Sequence, residues 1–106
     1  MTAERLRFFF ESGSVGSVLW PEDPESPYGC PAGLELLPLG AGLRAELTEL
    51  SQWYQTSIDW DYPPDPSPWG QEEKDRFNAR ARAALDAVRR ELGPGWAVVD
   101  RFRPVR

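Results

Sequence analysis

The sequence contains no histidine and only one cysteine. Without histidine the chain lacks the commonest general base near neutral pH and the commonest metal ligand. Neither a Ser-His-Asp nor a Cys-His arrangement can form within it. A lone Cys30 excludes an intrachain disulfide and a multi-cysteine metal site, and it fits a reducing compartment. Set among Glu22, Asp23, Glu25 and Glu35, Cys30 does not read as an activated nucleophile. It is expected to be a plain buried or half-buried side chain. Long apolar runs are also missing. No window approaches a membrane span, and Met1–Phe10, with charges inside it, does not read as a signal peptide. A cytoplasmic location is the expectation. Glycine loops for phosphate are absent as well: Gly13 and Gly16 lie in a Ser/Gly cluster between two strand-like segments, with no lysine and no following helix.

Proline, aromatics and carboxylates are plentiful. The chain has 106 residues, 41% of them hydrophobic, with five Trp, five Phe and three Tyr. So much apolar and aromatic surface favours burial over disorder, and the length suits a single domain spanning 1–106. Eleven Pro and nine Gly point to shaped connections between few elements. The net charge is −5, unevenly spread: residues 1–70 carry eleven acids against three bases, residues 71–106 nine bases against six acids. The acidic part repels phosphate backbones and suits a basic partner. The arginines of the second part, mixed with Glu and Asp, read as a solvated helix face. Nucleic acid is disfavoured as a partner.

Periodicity gives the elements. Arg5–Glu11 alternates, with Leu6, Phe8 and Phe10 on one face, and reads as a strand. After the Ser12–Gly16 turn, Val18–Trp20 reads as a second strand, ended by Pro21. Residues 21–33 form a loop, and Leu34–Leu39 is apolar without a clear period. Leu43, Leu47, Leu50, Tyr54 and Ile58 make one stripe of a helix from Ala41 to about Ile58. Four prolines forbid regular structure in Asp59–Trp69. Gln71–Leu92 is a second helix, with acids in its first turns, Arg89 and Arg90 in its last, Phe77, Ala81, Ala84, Leu85, Val88 and Leu92 on one stripe, and Gly93-Pro94 as its stop. Trp96–Phe102 is a third strand. Its mixed alternation suits a central strand beside the first. The fold class is therefore α+β: a small, mainly antiparallel three-stranded sheet in the order β-β-α-α-β, with two helices on one face.

Chemistry is sparse in this set. Asp59, Asp61 and Asp65 evoke a cation loop, but a calcium loop needs glycine and an acid where Pro64 and Gly70 stand. No cofactor and no metal are expected. A carboxylate enzyme would need those aspartates to converge with Glu22 or Asp23 in one pocket. The Asp59–Trp69 connector reads more readily as a docking loop. Unstructured connectors of this length are often functional, Tyr and Trp dominate binding hot spots, and proline lowers the entropy cost of ordering. The candidate partner-binding residues are Asp59, Trp60, Asp61, Tyr62, Asp65 and Trp69, with Glu22, Asp23, Glu25 and Tyr28 as a second acidic patch. A purely structural reading has Trp60 and Trp69 covering the helix ends.

Leu37-Pro38-Leu39, Trp53-Tyr54, Ser57, the run from Trp60 through Tyr62-Pro63-Pro64-Asp65-Pro66-Ser67-Pro68 to Trp69, Phe77 and Leu92-Gly93-Pro94 form a pattern over more than half of the chain. It resembles a family of small bacterial proteins of unassigned activity, so the resemblance carries no site residues. In size, charge and style the chain also looks like the immunity proteins of bacterial toxin systems. That likeness implies a non-enzymatic, antitoxin-like inhibitor that binds a basic toxin domain, as a monomer or weak dimer. An adaptor or regulatory subunit for a non-toxin protein is the alternative, and a carboxylate-dependent, possibly Mg-dependent enzyme the third.

Overall fold

The computed structural model describes residues 4–14 and 16–106. The parts of the signal-peptide and turn readings that fall on Met1, Thr2, Ala3 and Val15 lie outside the described residues. Strand β1 is Glu4–Phe8, β2 Leu19–Pro21 and β3 Trp96–Asp100; helix α1 is Ala41–Gln55 and α2 Gln71–Leu92, with a 3-10 turn at Leu34–Leu36 before α1. The order β-β-α-α-β and the α+β class are as the periodicity implies. The sheet order is β2-β1-β3. β1 pairs antiparallel with β2, Arg7 opposite Trp20, and parallel with β3, Leu6 opposite Val98. The sheet is thus mixed rather than mainly antiparallel. The central strand is β1, not the third strand. The half-buried residues of β3 belong to an edge strand, whose Val98 carbonyl accepts from Arg89 Nη2 at 2.7 Å.

Pro21 is the last residue of β2, not its terminator. Glu22 N donates to the Arg5 carbonyl at 3.2 Å and so continues the ladder. Arg5–Glu22 and Arg7–Trp20 are then the hydrogen-bonded pairs. Pro21, opposite Leu6, needs no donor on the β1 side.

Leu6, Phe8 and Val98 face the helices and meet Leu43, Leu47, Leu50, Phe77, Ala81, Leu85 and Val88 in one buried cluster. Ala32, Leu34, Leu37 and Leu39 from the apolar segment before α1 are buried in it too, so that segment lies over the core. Cys30 is exposed, contrary to its expected burial; Ala32, two residues on, takes the core position.

The helices run antiparallel. Gly40 N, before α1, donates to Glu91 Oε1 near the end of α2 at 2.6 Å, which also places a carboxylate at the positive end of α1. At the other end Trp53 Nε1 donates to Glu73 Oε2 at 2.8 Å, and Arg80 pairs with Glu46. α1 stops at Gln55, short of Ile58, because other groups claim its last carbonyls. Thr56 Oγ1 donates to Trp53 O at 2.7 Å, Ser57 Oγ to Tyr54 O at 2.6 Å and Trp60 Nε1 to Gln55 O at 2.8 Å. α2 keeps its expected bounds. Gly93, at φ 77° and ψ −171°, turns the chain out of it in a region essentially reserved for glycine.

Candidate functional site

The 59–69 connector sits where α1 ends and α2 begins. Asp59 Oδ1 accepts from the backbone N–H of Asp61 and Tyr62 at 3.1 and 3.3 Å, an Asx turn. Asp65 N donates to Tyr62 O at 2.9 Å and closes the next turn. Asp59 therefore shapes the loop, while Asp61 and Asp65 are exposed and enter no ion pair among the described residues. The large hydrophobic side chains most open to solvent include Trp60 at 55% and Tyr62 at 58% exposure. Trp60 does two things at once: its N–H caps α1 while its ring stays half in water.

Trp69 is different. It is 7% exposed, it donates Nε1 to Thr56 Oγ1 at 2.9 Å, and its ring lies 5.3 Å from Phe77 and 5.5 Å from Trp53. Trp69 is thus a buried anchor between the connector and the start of α2.

Glu22, Asp23, Glu25 and Tyr28 lie at the far end. Tyr28 packs on Trp96, 5.3 Å between centroids, just beyond the end of α2. The 22 residues of α2 place about 33 Å between its two ends. The two acidic loops are separate surfaces. Asp59, Asp61 and Asp65 do not converge with Glu22 or Asp23, and the arrangement a carboxylate enzyme would need is not formed. Among the described residues no group of three or more His, Cys, Asp or Glu could hold a metal ion. Glu22 is also spoken for: its Oε2 accepts from Arg5 Nε at 2.8 Å. The bond to Arg5 holds the Glu22 carboxyl below its ordinary pKa, with help from Arg7 and Arg101. Asp23 Oδ1 is turned inward onto Glu25 N at 2.9 Å.

A second feature lies close to the connector. A cleft of about 490 Å³ is lined by Arg7, Phe9, Phe10, Glu11, Tyr54, Arg101 and Arg103. Arg7 and Phe9 come from the sheet face turned away from the helices, where Phe9 stacks on Trp20 at 4.8 Å. Phe102 wedges against Phe8, Phe10 and Phe77 at 5.8 to 6.4 Å. Asn78 and Val105 exchange two hydrogen bonds of 3.0 and 2.9 Å. Together these contacts fix the backbone that carries Arg101 and Arg103. Tyr54 at the rim has its pKa raised, by burial first and by the charge of Glu11 second. This cleft escapes a linear reading because Arg7 and Arg101 are brought together only by the parallel β1–β3 pairing. The available signal was Arg7-x-Phe9 on the non-core face of the first strand, with Arg101-x-Arg103 closing the sequence pattern of the third.

The described helices include none long and apolar enough to cross a membrane. Among curated proteins, none matches the chain. The family model described as Serratia CdiI immunity protein-like matches residues 6–100. That span takes in the second half of β1 from Leu6, all of β2 and β3, both helices and both loops. The chain therefore belongs to the Serratia CdiI immunity protein-like family.

Proposed function

We propose that the chain is an immunity protein that binds a cognate toxin and neutralises it through the 59–65 loop, without catalysis of its own. Family membership supports the immunity role. The loop supports the mode. Its carboxylates at Asp61 and Asp65 are exposed, and Trp60 and Tyr62 stand more than half in solvent beside them. Trp and Tyr are enriched in binding hot spots, and the negative sign suits a basic toxin surface. The loop is held at both ends before any partner arrives, by Trp60 on Gln55 and by Trp69 in the core. Little ordering entropy is then lost on binding. Asp23, Glu25 and Tyr28, at the other end, form no part of this surface.

The test uses the toxin encoded by the neighbouring reading frame. Asp61→Lys with Asp65→Lys reverses two exposed charges without touching the Asp59 turn. Binding should weaken by about tenfold to a hundredfold, because like charges set against each other across an interface cost several kcal/mol. Co-expression should no longer protect cells, and the thermal midpoint should stay within about 4 °C of the parent, as exposed substitutions are nearly neutral. Raising salt should weaken the parent complex by screening. Unchanged affinity of the double variant refutes the loop as the interface.

A further inference from the structure

The arginine cleft and the acidic loop share a border. Trp60 Nε1 donates to the Gln55 carbonyl, and Gln55 Nε2 donates to the Glu11 carbonyl at 3.1 Å. Glu11 in turn lines the cleft. One end of the molecule thus carries two surfaces of opposite sign, joined through a single glutamine. Arg7, Arg101 and Arg103 line a cleft whose one acidic lining residue is Glu11, and the charges of Arg7 and Arg101 also reach the Glu22 carboxylate, which is bonded to Arg5. Arg7 is already fastened by Nη2 to the Pro21 carbonyl at 3.1 Å, and its buried Nε has no partner among the described residues. Arg101 and Arg103 are exposed and are held either side of the wedged Phe102. They enter none of the ion pairs formed among the described residues.

We infer that this cleft receives an Asp or Glu side chain of the protein bound by the 59–65 loop, so that the interface pairs charges of both signs. The inference rests on the immunity reading for the identity of that protein. The cleft's own chemistry selects the ligand class. A guanidinium fork matches the two oxygens of a carboxylate, and Phe9 and Tyr54 exclude water from one side of the pair. A phosphodiester chain is the poorer match. It would bring a charge at every nucleotide toward Glu11 and toward a chain of net charge −5. Neighbouring patches of opposite sign also set orientation. A toxin docked the wrong way round would set like charges against each other at both patches.

The experiment has two arms. In the first, the ¹⁵N-labelled chain is titrated at low salt with acetyl-hexaglutamate amide and, separately, with a hexathymidylate. The peptide should shift the backbone signals of Phe9–Glu11, Tyr54 and residues 101–103. Arg101→Gln with Arg103→Gln should abolish those shifts and leave the rest of the spectrum in place. No shift at these residues, or tighter binding of the oligonucleotide, overturns the inference. In the second arm the same variant is measured against the neighbouring-frame toxin, where Kd should rise at least tenfold. If the toxin binds the parent and the variant equally, the cleft is not part of the interface and the inference fails, while the immunity reading stands. If the toxin does not bind the parent at all, the immunity reading fails, and with it the assignment of the cleft to a toxin. The first arm still decides whether the cleft takes carboxylates.

Discussion

Phe77→Ala should be the most damaging single truncation in the molecule. The side chain is fully buried, at 0% exposure. Its ring is surrounded by Phe10, Trp53, Tyr54, Trp69 and Phe102 at centroid distances of 5.1 to 6.4 Å. Removing a buried phenyl ring costs about 3–5 kcal/mol through lost burial and the cavity left behind. Edge-to-face and tilted neighbours add about 0.5–1.5 kcal/mol per pair, not additively. The site cannot collapse easily, since five rigid rings from four segments frame it, so the loss should fall at about 4–5 kcal/mol. A domain this size holds about 5–15 kcal/mol in all. With a urea slope of about 1–3 kcal/mol per molar, the midpoint should drop by about 1.3–5 M. Trp53 and Trp69 touch the ring, so tryptophan fluorescence reports the transition directly. Trp69 anchors the 59–65 loop and Phe10 walls the arginine cleft, so both surfaces should loosen together. Phe77→Leu, which keeps most of the volume, should lose less than half as much. A loss for Phe77→Ala below about 3 kcal/mol, the floor for such truncations, would refute the view that this aromatic cluster organises that end of the fold.

Ser51 is 1% exposed and bridges the turn between the first strands, accepting from Gly16 N at 3.2 Å and donating to Ser14 O at 3.3 Å. Ser51→Ala should cost about 1–3 kcal/mol in urea unfolding, because it strips partners from backbone groups beside the core. The Tyr54 phenol titrates above its ordinary value in the folded chain. Its contribution to stability is therefore fully present below the unfolded pKa and is lost as the pH rises through the folded one. Glu11→Gln should lower the Tyr54 midpoint by NMR yet leave it above the ordinary value, since burial is the larger cause. The Glu22 carboxyl is depressed, chiefly by its bond to Arg5. Its contribution is present above the unfolded pKa and fades as the pH falls through the folded one. Arg5→Gln should bring the Glu22 midpoint up toward the usual carboxylate range in a ¹³C titration.

Much of the fold was legible because local chemistry and tertiary packing agree. α2 has acids first, arginines last and Gly93 at its stop, and it forms as read. Where they disagree, the sequence misleads. The strand reading of Arg5–Glu11 overruns β1, which ends at Phe8; Phe9 N still donates to Val18 O at 3.1 Å, but farther on the chain turns to α1, where Gly13 N donates to Gln55 Oε1 at 2.8 Å. The third strand's direction depends on how the helix pair crosses, which no local pattern encodes. The Pro-rich loop was identifiable by composition. Which of its aromatics faces outward was not, since what buries Trp69 and not Trp60 is the tertiary placement of Trp53 and Phe77 beside its ring. Glu22 seemed part of an acidic surface because Arg5, its partner, is 17 positions away. The arginine cleft was invisible for the same reason on a larger scale.

The parallel pairing of β1 with β3 has a consequence for biosynthesis. The central strand is synthesised before β3 and finds β2 eleven positions on, yet its other flank must wait for residues 96–100. Until then a bare strand edge and the empty slot for Phe102 are on offer to any passing chain, the condition under which strands join intermolecularly. A chain cut before Trp96 should consequently be recovered in inclusion bodies, and supplying a peptide covering 94–106 during refolding should rescue it.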